Sequence, residues 1–207
     1  MTLPSRSGVA LVICAPSGCG KTTLIKRLKK AVPDFAFSVS YTTRQPRPGE
    51  KDGHDYHFIS EEEFFDKRAN TFFAEWAEVH GNYYGTPLKA TLDLLQAGKD
   101  VIFDIDVQGA RQLRDTVPDA FLIFIFPPCR KELERRLMSR NTESPESLVR
   151  RLSVAHQEMR EAEWFDSWII NDDLDRAFGD LLAAYRAATL CPVRSGAFFT
   201  SLMREWD

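Results

Sequence analysis

The apolar positions of this chain fall into short runs separated by amphipathic stretches. Val9–Cys14 is a continuous apolar run ended by a glycine-rich turn, the pattern of a strand buried on both faces. Leu24, Ile25, Leu28, Ala31 and Val32 then recur at helical spacing until Pro33. Phe35–Ser40 reads as a second strand and Tyr41–Asp55, rich in Pro and Gly, as a loop. Ser60 to Glu63 is a capping box that opens a short helix. Thr71–Val79 has strand character, Gly81–Thr86 reads as a turn, and Thr86-Pro87 caps and starts a helix running to Gly98. Asp100–Asp106 predicts a strand ending in carboxylates, and Val107–Thr116 a helix. Ala120–Phe126 is a strand stopped by Pro127-Pro128, followed by an arginine-rich helix over Arg130–Arg140. Ser144-Pro145 starts a longer helix, to about Trp164; Trp168–Asn171 is a last strand and Leu174–Ala188 a helix. Strands alternating with helices in this way imply an α/β fold with a doubly wound parallel sheet. Thr189–Asp207 reads as a tail whose aromatics, Phe198, Phe199 and Trp206, are expected to dock on the body.

Composition narrows the class without choosing within it. The chain has 207 residues, 43% hydrophobic and 28% charged, with a net charge of −3. That gives no global attraction to nucleic acid or anionic lipid, so neither is expected as a partner. No apolar run reaches the length of a membrane span, and no signal-like segment precedes the first strand. The four cysteines show no CxxC spacing. A reducing, cytoplasmic setting with free thiols is the expectation.

The strongest chemical signal follows the first strand. Ala15, Pro16, Ser17, Gly18, Cys19, Gly20, Lys21, Thr22 and Thr23 fit a phosphate-binding loop, save that Ala15 stands where the motif has its first glycine. Backbone N–H groups at a helix N-terminus form a concave anion site, and Gly18 and Gly20 permit the wrap. Lys21 would reach the β- and γ-phosphates and Thr22 would ligate Mg²⁺. Ala15 lies at the strand exit, where a negative φ suffices.

A nucleoside triphosphate needs an acceptor, and the next segment supplies anion-binding groups. Arg44 and Arg47, with Tyr56 and Tyr84, suit the oxygens of a second phosphate. Glu75 stands among apolar residues in "FFAEW"; a carboxylate there matches the adjacent N1–H and N2–H donors of guanine, an edge adenine lacks. Asp104 and Asp106 sit two apart at the end of an apolar strand, where open α/β sheets bind ligands. One of them suits the second anchor of a Mg²⁺ shell, and N-caps for the next helix are the competing assignment. Arg136 and Arg140 share a helix face, and Arg151 follows on the next helix; all three could stabilise a transferring phosphoryl group. Arg130, Arg135 and Arg160 read as solvent-facing charges among glutamates. His54 and His57 with Asp52 and Asp55 lack a third clear ligand and are not taken as a metal site.

With these motifs the chain resembles the guanylate kinases. The resemblance runs from about Val9 to Ala188 and is carried by "APSGCGKTTL", "FSVSYTTRQPRPGEKDGHDYHF", "FFAEWAEVHGNYYGT", "DVIFDIDVQG", "RRLMSRNTES" and "IINDDLD". It implies a P-loop core (1–37, 96–130 and 166–188), a mixed α+β GMP-binding insert (38–95), a helical lid (131–165) and a tail (189–207). It implies Mg²⁺-dependent transfer from ATP to GMP, with dGMP as a second acceptor, in purine nucleotide metabolism and GMP recycling. The substrates ATP and GMP are the implied partners, the protein being a monomer or simple homo-oligomer. Carried residue by residue, Arg44, Arg47, Tyr56 and Tyr84 correspond to contacts for the GMP phosphate, and Ser40, Glu75, Thr86 and Asp106 to contacts for guanine. Lys21 and Thr22 serve ATP and the metal, with Asp104 near the metal's water shell. Arg136, Arg140 and Arg151 resemble the lid and transfer arginines, and Asn171 lies where the adenine pocket forms.

Ala15, Tyr41 and Asn141 depart from the family's usual residues. Two other readings stay open. A non-catalytic peptide-binding module of the same fold conflicts with the intact Gly18, Gly20, Lys21 and Thr22. A ribose-bisphosphate phosphokinase conflicts with Glu75, Ser40 and Asp106.

Overall fold

A computed structural model of the chain describes residues 6–79, 81–139 and 145–206. In chain order the first half contains β1 (Ala10–Cys14), α1 (Lys21–Ala31), β2 (Tyr41–Thr42), β3 (His57–Phe58), α2 (Glu61–Ala69), β4 (Phe73–Val79), β5 (Asn82–Pro87) and α3 (Leu88–Gln96). The second half contains β6 (Val101–Asp104), α4 (Val107–Thr116), β7 (Phe121–Phe126), α5 (Arg130–Met138), α6 (Pro145–Arg160), β8 (Ser167–Ile170), α7 (Leu174–Thr189) and α8 (Gly196–Met203).

Four strands form a parallel sheet in the order β6-β1-β7-β8. Both of its faces are covered, which is why β1 and β7 are continuously apolar. Leu11 and Ile13 pack with Leu24, Leu28 and Leu181 from α1 and α7 on one face. Ala10, Val12 and Cys14 pack with Val107, Ala110 and Leu113 from α4 on the other. The parallel sheet flanked by helices is therefore the architecture the sequence predicts. A second, mixed sheet has the order β3-β2-β5-β4, with β2 parallel to β3 and antiparallel to β5. Phe64 of α2 stacks on Phe73 beneath it.

Several local expectations need correction. Phe35–Ser40 does not form a strand: only Ala36 bridges Val101, its N–H donating to Asp100 O as the chain passes the sheet edge. The first pairing after it is β2, inside the segment read as a loop. Most of the turn read at Gly81–Thr86 is β5, because Tyr83 and Tyr84 pair antiparallel with Glu78 and Ala77. Thr86 does not cap α3; Pro87 is the N-cap, and the Thr86 hydroxyl turns to Glu75 instead. Asp106 is not on a strand face but is the N-cap of α4, accepting from Gly109 N at 2.8 Å. The Ser60 cap is as predicted, accepting from Glu63 N.

The tail is anchored by a cation, not by its aromatics. Phe198, Phe199 and Trp206 remain exposed. Arg194 is buried and donates to Ala188 O, Gly8 O and Asp119 O, tying the segment after α7 to the start of β1. Beside it Asp100 accepts from Arg6, Val9 N and Tyr185. Burial alone would raise the Asp100 carboxyl, but these donors outweigh it and hold it below the usual carboxylate range. Among the described residues no helix is long and apolar enough to cross a membrane.

Candidate active site

β1 delivers the chain to the loop Ala15–Gly20, and α1 begins at Lys21. Gly18 and Gly20 have φ of 90° and 85°, the left-handed conformation the wrap requires. A Cβ on Gly20 would also lie 2.4 Å from Asn171 Nδ2. Among the described residues Thr71 alone, outside the glycines, has positive φ, so Ala15 sits in ordinary backbone space as expected. Cys19 is fully buried, and burial pushes its thiol up to about 12, so it packs rather than reacts.

Asn171 closes the loop from behind. It is buried, and its Nδ2 donates to Cys19 O at 2.8 Å. Its own carbonyl accepts from Arg136 Nη2 at 2.9 Å. Arg151 reaches the loop from α6, donating to Ser17 Oγ at 2.5 Å. Arg136 is also held by Glu132, one helical turn earlier. Arg140 and Asn141 lie outside the described residues.

Lys21 extends from the loop to the end of β6. Its Nζ lies 2.8 Å from Asp104 Oδ1 and donates to Ile105 O at 3.1 Å. Thr22 stands in the first turn of α1. A hydroxyl and a half-exposed carboxylate are hard oxygen donors that suit Mg²⁺, which keeps several waters and takes phosphate oxygens as its other ligands.

On the other side of Lys21 a cleft of about 460 Å³ opens between the two sheets. Lys21, Ser40, Tyr56, Glu75, Tyr84, Thr86, Asp104 and Asp106 all line it. Thr86 Oγ1 is 2.6 Å from Glu75 Oε1 and 3.3 Å from Ser40 Oγ, so these three form one chain of polar groups. Glu75 is 7% exposed. Burial raises its carboxyl from the ordinary 4.5 to about 7; the Thr86 hydrogen bond opposes this and the Asp106 charge adds to it. Such a carboxyl is poised to pair with two N–H donors of a flat ligand.

Tyr56 and Tyr84 meet edge to face at one end of the cleft. The Arg44 guanidinium lies over the Tyr56 ring and is clamped by both Glu50 oxygens, at 2.9 and 3.0 Å. The side chains of Arg44 and Arg47 both lie outside the cleft lining, although the Arg47 backbone N–H also donates to Glu50. Glu50 and Glu132 went unassigned by sequence reasoning. The Glu132–Arg136 spacing was a usable signal, whereas Glu50 meets Arg44 only through the fold of a loop. Tyr41 stacks on His57 and packs edge-on to Phe72, outside the cleft lining.

A glycine loop, a lysine spanning two strand ends and a cleft with a buried carboxylate thus gather at the C-terminal ends of the parallel strands. The guanylate kinase family model matches residues 7–188. The chain belongs to the guanylate kinase family. A guanylate kinase of Nitratidesulfovibrio vulgaris is 60% identical over 202 residues, 98% of each chain. One of Oleidesulfovibrio alaskensis is 55% identical, covering 97% of this chain and 98% of its own. The crystal structure of guanylate kinase from Anaplasma phagocytophilum is 34% identical with a TM-score of 0.69, covering 93% of this chain and 92% of that one. The family model ends at Ala188, so the Arg194 anchor lies beyond the part that defines the family.

Proposed function

We propose that the chain is an ATP:GMP phosphotransferase, with dGMP as a second acceptor, acting with Mg²⁺ in purine nucleotide metabolism. The observation that carries the reading is the buried Glu75–Thr86 pair, continued to Ser40, in a cleft that also contains Lys21. A peptide-binding module has no need of that lysine, and a sugar-phosphate kinase has no need of the buried carboxylate.

In this reading the ionised Glu75 accepts from guanine N1–H and N2–H, with Ser40, Thr86 and Asp106 completing the contacts to the base. Tyr56, Tyr84, Arg44 and Arg47 take the GMP phosphate. The loop's backbone N–H groups hold the ATP phosphates, and Lys21 follows the γ-phosphate. Thr22 and Asp104 would hold Mg²⁺, which when bound neutralises phosphate charge. The GMP phosphate, with a second pKa of about 6, is mostly dianionic near neutral pH and attacks without a general base. The protein's task is to align two polyanions and offset their repulsion, and Arg136, Arg140 and Arg151 add positive charge on the lid side. The insert is assigned to residues 38–95 and the lid to 131–165.

A coupled assay over GMP, dGMP, AMP, CMP, UMP and ribose 1,5-bisphosphate tests the reading. Turnover with GMP is expected to dominate, and Lys21→Ala is expected to lower kcat by about 100-fold or more. No turnover with any acceptor would favour the binding module, and turnover with the sugar phosphate alone the other kinase.

A further inference from the structure

The guanine-reading carboxylate is carried by the second sheet but gripped from the first. Gly109, Gln112 and Thr116 are spaced i, i+3, i+7 and so share one face of α4. That face packs on β4, the edge strand of the second sheet. Gln112 Nε2 donates to Trp76 O at 2.9 Å, and its Oε1 accepts from Trp76 N at 3.1 Å. The side-chain amide therefore fills the place of a missing neighbouring strand. Thr116 Oγ1 donates to Ala74 O at 2.7 Å. These grips fall on the residues immediately before and after Glu75.

The ladder is irregular at the same place. Phe73 pairs with Pro87 and Glu75 with Thr86, so Ala74 is an extra, bulged residue. A bulge re-aims the side chain that follows it. Here it sets Glu75 opposite Thr86, whose hydroxyl it meets. Gly109 completes the bracket, since a Cβ there would lie 3.1 Å from Glu75 Oε2.

We propose that Gln112 and Thr116 are positioning residues for guanine recognition, fixing the bulge of β4 so that Glu75 keeps its aim into the cleft. This rests on the reading that Glu75 binds the base. It makes α4, which touches no substrate through these two side chains, a determinant of acceptor specificity. The base site then stays in register with the phosphate loop.

The test compares Gln112→Ala, Thr116→Val, Thr116→Ser and Glu75→Gln. The readouts are KM for GMP, KM for ATP, the preference for GMP over IMP, which lacks the 2-amino group, and the melting temperature. Gln112→Ala and Thr116→Val are expected to raise KM for GMP by about tenfold, the worth of one or two net hydrogen bonds, and to narrow the GMP-over-IMP preference. KM for ATP should not change, and Thr116→Ser, which keeps the hydroxyl, should restore KM for GMP. Should Gln112→Ala fail to fold, the Thr116 pair decides alone. If KM for both substrates rises together with lost melting temperature, or if KM for GMP stays put while Glu75→Gln raises it, the positioning role is wrong. If Glu75→Gln itself leaves KM for GMP unchanged, the base-site reading fails and the proposal with it.

Discussion

Glu75 shows how much chemistry one residue can draw from its surroundings. Its folded-state pKa of about 7 stands above the ordinary 4.5 because burial disfavours the charge. Between those values the folded protein binds more protons than the unfolded chain. Stability contributed by this group therefore falls as pH rises through that window. Glu75→Gln mimics the protonated form and still accepts from Thr86. Thermal melts should find it more stable than the parent at pH 8, with the gap closing as the pH approaches 4.5. An equal gap at both ends would place the strain elsewhere. The local sequence "FFAEW" marks this carboxylate as unusual. It does not reveal the Thr86 partner or the grips on either side, because those come from segments 11 to 42 positions away. Arg44 is similar: its chemistry is legible, but its clamp by Glu50 depends on the path of a loop.

Among the elements, those with a strong period are legible and those set by partners are not. β1 and β7 are apolar on both faces because both faces are buried, and that pattern survives in any reading of the sequence. β5 is not apolar; it is a strand because β2 and β4 flank it. Phe35–Ser40 has strand composition but skirts the sheet edge with a single bridge. The start of α4 combines both kinds of information. Asp106 caps the helix and lines the cleft. The two duties can be separated. Asp106→Asn should keep the cap and the melting temperature while raising KM for GMP. Asp106→Ala should in addition cost about 1 kcal/mol of stability. Denaturant titrations alongside KM measurements check this, and equal stability for the two variants would deny the cap any weight.

At the scale of the molecule, the cations proposed to meet phosphate already have protein partners. Arg44 is held by Glu50, Arg136 by Glu132 and Asn171 O, Lys21 by Asp104, and Arg151 reaches Ser17. The cleft lies between the two sheets, so binding both substrates should bring the assigned insert and lid together and exclude water. Small-angle scattering with a bisubstrate analogue should show a smaller radius of gyration than the free protein. Superimposable profiles would mean the molecule is preclosed.

The sequence by itself determined the alternating α/β order, the glycine loop that opens α1 and the residue types gathered in the cleft. Those signals are local: periodicity, turn chemistry and spacing within one segment. Ala15 needed only a permitted φ, and its strand-exit position was enough to say so. The tertiary structure alone decided that Thr86 would serve Glu75 and not α3 and that Arg194 would anchor the tail, and it chose the cap over the strand face for Asp106. It also placed Gln112 and Thr116 of α4 beside β4, the strand that carries Glu75. For Thr86 and Arg194 the deciding force is a buried polar group that must find a partner, and that partner lies elsewhere in the chain.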